Sequence, residues 1–308
     1  MKISDGYEDK PHSNELVPYS YYESRIPDYF PHVPLHWHQE LEINYIRSGR
    51  GEFICGDERF ISEAGDIIVI APKMLHAVYR LGDAPQFYDT LVVNAGMLGA
   101  SQNDRCAQRF FRPLLSGGLV IKPRITRSHE RYEELKACAE NIFSYAKRNE
   151  VVGDLMLKAE LLRLLAVLAE HGGIDPADHE HPDRGELIRP ALEYIGGHFT
   201  EDITIERLAE LSHLSKSYFM RIFKEAAGVG AMEYTNQLRI RKACELLLHS
   251  EKTVSEIAYE CGFANLSNFN RQFLKQNRIP PRQYRKVNAD LACQPFGGLP
   301  SRVTQEHT

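Results

Sequence analysis

The feature that most constrains this chain is a pattern near its C-terminal end that occurs twice. Thr204, Ile205, Leu208, Ala209, Leu214, Phe219, Arg221, Phe223, Lys224 and Tyr234 recur as Thr253, Val254, Ile257, Ala258, Phe263, Phe269, Arg271, Phe273, Lys275 and Tyr284. The offset is 49 residues through the first part and 50 through most of the second, so one residue is inserted between them. Self-similarity of this size marks a duplicated supersecondary unit. In the second copy Thr253 and Glu256 have capping-box spacing, and Ile257, Ala258 and Cys261 recur at helical intervals. Gly262 supplies the residue that most readily takes a positive φ, where one helix must turn into the next. Phe269 and Phe273 then form the apolar stripe of a second helix, which Pro280 and Pro281 end. The first copy has Ser212 and His213 where the second has Cys261 and Gly262, so its turn is expected to be less tight. Between the copies, Tyr234, Leu238, Ile240, Ala243, Leu246 and Leu247 predict one long spacer helix. Two short helices and a tight turn, made twice, describe a pair of helix-turn-helix units.

Residues 187–286, ending in Ile279, Pro280, Pro281, Arg282, Gln283, Tyr284 and Arg285, resemble the DNA-binding domain of the AraC/XylS family. The resemblance implies that each second helix enters a major groove of double-stranded DNA. By register it places Lys216, Ser217, Met220 and Arg221 of the first unit, and Asn265, Leu266, Ser267, Asn270 and Arg271 of the second, at the interface. Arg can read guanine, Asn can read adenine, and Met or Leu can meet a thymine methyl. Arg221 and Arg271 are equally suited to phosphate or intradomain contacts, and Leu266 to packing.

Charge supports the division. Residues 187–290 carry 15 Lys+Arg against 12 Asp+Glu, while the remainder carries 22 against 30. A mildly basic part beside an acidic one fits a chain of which one portion touches DNA. A length of 308 residues accommodates two domains. The cysteines (Cys55, Cys106, Cys138, Cys244, Cys261, Cys293) show no paired spacing, and no apolar run reaches a membrane-spanning length. A cytoplasmic protein with no membrane partner is expected.

Residues 1–30, broken by Pro11, Pro18 and Pro27, suggest an arm. From Leu35 to Val93 short β-prone runs (42–47, 52–55, 60–61, 67–70) alternate with Gly- and Asp-containing turns, as in an antiparallel sandwich or barrel. If 36–44 is one strand, His36, His38, Glu42 and Asn44 share a face, and Trp37, Leu41, Ile43 and Tyr45 take the other. With His76 downstream, this resembles the cupin pattern, in which two His, a Glu and a later His converge inside a small barrel. The resemblance implies either a metal site at His36, His38, Glu42 and His76, or a metal-free pocket for a small-molecule effector, a carbohydrate above all. The residues alone also allow a solvated sheet face.

Two helices are predicted between Glu130 and Ala169. The second bears Leu157, Leu161, Leu164, Leu165 and Leu168, a wide apolar face that either packs on the barrel or pairs with a second chain. The expected organisation is α+β in two domains: a cupin-like antiparallel barrel with its arm (1–128), a helical hairpin (129–172), a linker rich in Gly, Pro, Asp and His (173–186), an all-α domain with two helix-turn-helix units (187–288), and a tail (289–308). The expected function is that of a transcription activator rather than an enzyme: a homodimer that binds operator DNA, answers to a small molecule and acts with RNA polymerase, without a cofactor. A metal-dependent cupin enzyme and a ligand-independent DNA-binding protein are the alternatives.

Overall fold

The computed structural model describes residues 17–27, 32–177 and 184–288, with the backbone of two short strands, β1 (Ile3–Ser4) and β2 (Tyr7–Glu8). The barrel strands are β3 (Tyr19–Ile26), β4 (His32–His36), β5 (Leu41–Ser48), β6 (Gly51–Cys55), β7 (Glu58–Ser62), β8 (Ile67–Ile70), β9 (His76–Arg80) and β10 (Gln86–Val93). After a short helix α1 (Arg112–Ser116) come β11 (Leu119–Ile121), β12 (Arg124–Ile125), α2 (Tyr132–Ala146), α3 (Val151–Glu170) and β13 (Ile174–Pro176). The strands form an antiparallel five-stranded sheet in the order β12-β8-β5-β10-β3 and an antiparallel four-stranded sheet in the order β4-β9-β6-β7.

Side-chain alternation makes layers of these sheets. Ile46, Ile68, Ile70 and Tyr88 meet Phe53, Cys55 and Val78 between the sheets. Leu41, Ile43, Tyr45, Val69 and Leu91 face outward from the five-stranded sheet onto α2 and α3. The expected apolar face of α3 (Leu157, Leu161, Leu164, Leu165, Leu168) is buried in that layer. Beside it runs a second, exposed series, Val152, Leu155, Ala159, Leu162 and Ala166.

Several expectations need correction. Residues 19–26, read as part of an arm, form the edge strand β3, paired along its whole length with β10 and bracketed by Pro18 and Pro27. Residues 36–44 are not one strand. The chain leaves the four-stranded sheet after His36, crosses over 37–40 and enters the five-stranded sheet at Leu41. Trp37 therefore parts company with Leu41, Ile43 and Tyr45 and lies against the C-terminal helices, with Arg189 stacked 4.5 Å from its ring. The stretch read as linker begins as a strand, since Ile174–Pro176 pairs with β11. Residues 178–183 of that stretch, the tail 289–308 and most of residues 1–16 lie outside the described residues.

The C-terminal helices are α4 (Arg184–His198), α5 (Ile205–Leu211), α6 (Lys216–Ala227), α7 (Ala231–His249), α8 (Val254–Glu260), α9 (Leu266–Asn277) and α10 (Pro281–Val287). The units α5/α6 and α8/α9 are the two repeats, and α7 is the spacer. Phe219, Phe223, Phe269 and Phe273 are fully buried, each contributing about 1.5–3 kcal/mol by leaving water. The capping box is present, with Thr253 accepting from the Glu256 amide (3.2 Å) and Glu256 from the Thr253 amide (2.7 Å). The turn expected to be looser in the first unit is not. His213 takes φ +54° and Gly262 φ +83°, and both turns close with the same backbone bonds, Leu214 N–H to the Ala209 carbonyl and Phe263 N–H to Ala258. Asn, Asp and His visit this region more readily than other side chains, which is how a histidine fills a glycine's place. Among the described residues no helix is long and apolar enough to cross a membrane.

Candidate functional site

The second helices α6 and α9 expose the side chains named from the sequence. Lys216, Ser217, Met220 and Arg221 are exposed on α6, as are Asn265, Ser267, Asn270 and Arg271 at and along α9. Leu266 is half-buried and packs on the core of the second unit, so it is at most a partial interface residue. Asn265 is the N-cap of α9, its side chain accepting from the Asn268 amide (2.8 Å). Without DNA the cations are held by neighbours: Lys216 by Glu206, Arg221 by Glu225 (3.4 Å) and the Tyr218 ring (4.9 Å), and Arg271 by Asn268 (2.9 Å). Exposed pairs of this kind are weak, so phosphate or base edges can displace them at little cost.

Inside the barrel, the crossover at 37–40 brings the polar residues of both sheets together. His36 and His76 are register partners on β4 and β9, with ring centroids 4.0 Å apart, and His38 lies 5.0 Å from His76. Glu42 enters from β5, its Oε2 3.1 Å from His38 Nε2 and 3.6 Å from His76 Nε2. Its Oε1 accepts from Asn44 (2.8 Å), Asn44 Oδ1 accepts from Thr90 (2.7 Å), and Thr90 lies 3.2 Å from the Ser24 hydroxyl. Relative exposures are 5% for His36, 1% for His38, 8% for Glu42 and 1% for His76, so the group is shut off from bulk water. Burial opposes charge on Glu42, but the imidazoles of His76 and His38 outweigh it and hold the carboxyl well below the usual carboxylate range. Ser24 and Thr90 were not foreseen. Each stands between a tyrosine and an aliphatic residue at two-residue spacing (Tyr22 and Ile26, Tyr88 and Val92), a pattern that does not mark a site in the sequence.

The outer face of the same strands carries the first helix-turn-helix unit. Leu35, Leu75 and Ala77, flanking His36 and His76, join Ile54 in one apolar cluster with Phe223, Ala226, Ala227, Tyr234 and Leu238. Tyr234 donates to the Leu35 carbonyl (2.8 Å), Tyr79 to Ala227 (3.3 Å) and Arg189 to Lys73 (3.1 Å). None of these contacts was readable in the sequence, because a side chain facing another domain has the same character as one facing a core.

A family model described as an AraC-like ligand binding domain matches residues 18–165, spanning barrel and hairpin, and one described as a helix-turn-helix domain matches residues 208–287. The chain belongs to the AraC/XylS family of DNA-binding transcription regulators. Its relatives in that family include the HTH-type transcriptional regulator YdeC of Bacillus subtilis, 22% identical over 258 residues, 84% of this chain and 88% of that protein. The HTH-type transcriptional activator RhaS of an Enterobacter strain is 22% identical over 289 residues, 89% of this chain and 96% of that protein. Among solved structures, ToxT of Vibrio cholerae aligns over 89% of this chain and 98% of its own, at 16% identity and a TM-score of 0.45.

Proposed function

We propose that this AraC/XylS regulator is an activator whose hold on operator DNA is set by an effector at the His36–His38–Glu42–His76 cluster, with Asn44 orienting Glu42. One observation carries this. The strands that present His36 and His76 inward present Leu35 and Ala77 outward, joined by Leu75 just before β9, as the seat of the first helix-turn-helix unit. A ligand that changes the spacing of the inner side chains acts on that seat, and it shifts the reader only by its differential affinity for two arrangements. Activation, with RNA polymerase as the partner it requires, is supported by the description of RhaS as a transcriptional activator. A carbohydrate would match the donors and acceptors of the cluster. Admitting one requires the barrel to open, since sugar-sized ligands occupy cavities of roughly 300 Å³ or more.

The exposed series on α3, Val152, Leu155, Ala159, Leu162 and Ala166, has the alternating three- and four-residue spacing of a coiled-coil seam. It supports a homodimer formed helix against helix, with two readers on one operator. Lys216, Ser217, Met220 and Arg221 would then meet one groove, and Asn265, Ser267, Asn270 and Arg271 the next.

Binding of the full chain to a duplex from its own upstream region tests this reading. Arg271→Ala should cost about 1–3 kcal/mol and relax preference at one base pair if Arg271 reads a base. A uniform loss with shallower salt dependence would assign it to phosphate instead. Absence of sequence-specific binding to upstream or selected duplexes would overturn the proposal.

A further inference from the structure

We infer that a cavity on the outside of the barrel, between β5 and the start of α2, is a second ligand site. Its chemistry fits a small organic anion, one phosphate or carboxylate head on a hydroxylated body. The site is separate from the His36–Glu42 cluster and stands whether or not that cluster takes the effector. The cavity holds about 460 Å³, within the roughly 300–1,000 Å³ of small-molecule sites and far more than a lone anionic head would fill. The buried residues Tyr45, Ile46, Gly65 and Tyr132 line it, beside the more exposed Arg127, Lys136 and Glu133.

The wall that carries Arg127 is fixed in place. Tyr132 donates to the Gly65 carbonyl (2.8 Å) and Arg127 Nη2 to the Ala64 carbonyl (3.4 Å), so phenol and guanidinium close on two residues of one turn. Glycine is required there. Gly65 takes φ +95°, and a Cβ on it would lie 2.8 Å from the Tyr132 hydroxyl and 3.1 Å from Arg127 Nε. The arginines nearest in the chain are neutralised, Arg124 by Asp66 and Arg131 by Glu134. Among the described residues no carboxylate pairs with Arg127. A guanidinium offers five N–H donors in a rigid fork, and this one gives the protein a single long bond.

Lys136 faces the same space from α2. It approaches Glu140 only at 4.0 Å, and the Tyr45 hydroxyl donates to the same carboxylate oxygen at 3.4 Å. Both contacts are at the limit of their kind, so an anionic head held between Lys136 and Arg127 can draw these groups over at little cost. Arg47, the third cation of the lining, is already paired with Asp89 and stacked 4.8 Å from the Tyr45 ring, so it shapes the wall instead of supplying charge. Glu133 stands in the first turn of α2, where the helix dipole favours a carboxylate. It can accept from hydroxyls on the ligand's body, and it repels a ligand that carries a second anionic group there.

Calorimetric titration of the full chain with glucose 6-phosphate, gluconate and glucose tests the site. Expected are one equivalent of at least one of the two anions bound, and no heat from glucose. Neither Arg127 nor Lys136 is buried, so Arg127→Gln and Lys136→Gln should fold, and each should weaken anion binding about 10-fold or more, the loss of one charge-assisted hydrogen bond. Lys122→Gln, which removes an exposed cation outside the cavity, should leave affinity unchanged. The tighter of the two anions identifies the head group as phosphate or carboxylate. No binding of either anion, nor of inorganic phosphate or acetate, would overturn the inference. So would glucose binding as tightly as the anions, or an equal loss in all three variants, the mark of non-specific attraction. Sequence-specific DNA binding would survive each of these failures, so the two readings are tested apart.

Discussion

The two helix-turn-helix units are copies in sequence but not in situation. The first shares its apolar core with the barrel through Leu35, Ile54, Leu75 and Ala77, whereas the core of the second is built from reader residues between Ile240 and Tyr284. Equivalent residues are used differently. Tyr234 bonds to the barrel at Leu35, while Tyr284, 50 residues on, packs on Phe273 within its own unit. The left-handed positions show the same divergence. His213 in the first turn corresponds to Gly262, and Gly228 at the end of α6 corresponds to Arg278 at the end of α9, all four with positive φ. In each pair glycine stands where another segment closes in. A Cβ on Gly262 would lie 2.4 Å from the Thr200 carbonyl oxygen, and one on Gly228 would lie 2.9 Å from Ile54 Cδ1 of the barrel. His213 and Arg278 are exposed, and Arg278 pairs with Asp83 on the barrel surface. Duplication thus supplied two reading heads, of which one is apolar-docked to the sensor. Control by an effector should therefore pass through the first.

Gly262→Ala should be the most damaging change among these positions. It adds left-handed strain to a clash with backbone that cannot swing aside, for a loss of about 3 kcal/mol or more in thermal or denaturant unfolding of the second unit. A smaller loss than that of Gly228→Ala would break the comparison.

Acid should act where β4 meets α7 and the end of α9. His32, on β4, stacks on Tyr79 at 5.4 Å, and burial followed by the charge of Arg241 on α7 lowers its pKa to about 4. Its folded pKa lies below its unfolded value of about 6.5, so the neutral ring's contribution is complete above that pH. It is lost as pH falls from about 6.5 towards 4, by roughly 1–2 kcal/mol after allowing for partial solvent access. Proteolysis between barrel and reader should accelerate across that window, and His32→Gln should flatten the response. Gly228→Ala should cost about 1 kcal/mol, because the atom it meets is a side-chain tip that can turn. Its signature is looser docking, read as faster hydrogen exchange in β6 and α6 with the second unit unchanged.

How much of this was legible depended on whether the cause was local. Helix capping at Thr253 and Glu256, the paired phenylalanines and the strand runs at 42–47, 52–55 and 67–70 depend on neighbours within a turn or two, and they were readable. The polar residues of the barrel cluster were readable as a group, although the reason given was incomplete. His36 and His38 meet Glu42 by a crossover between sheets, which leaves no periodic trace. β3 was hidden because its alternation is carried by tyrosine and serine in place of aliphatic residues. Barrel–reader docking was illegible for a different reason. Leu35 and Ala77 would look the same in a barrel wall, and only the fold shows which domain covers them.

The mildest test concerns His213. A histidine held at φ +54° gives up part of the steric freedom that glycine has there, yet the turn makes the same closing bonds as its glycine counterpart. His213→Gly relieves that strain but also loosens the unfolded chain, and the two effects oppose each other. With His213 exposed, strain relief should prevail slightly, for a gain of up to about 1 kcal/mol in the first unit. If histidine were instead required for contact with DNA, the variant would unfold at a higher temperature and still bind its operator less well. Equal operator affinity in both proteins would mean that the residue serves only the turn, and that the two turns are interchangeable in all but strain.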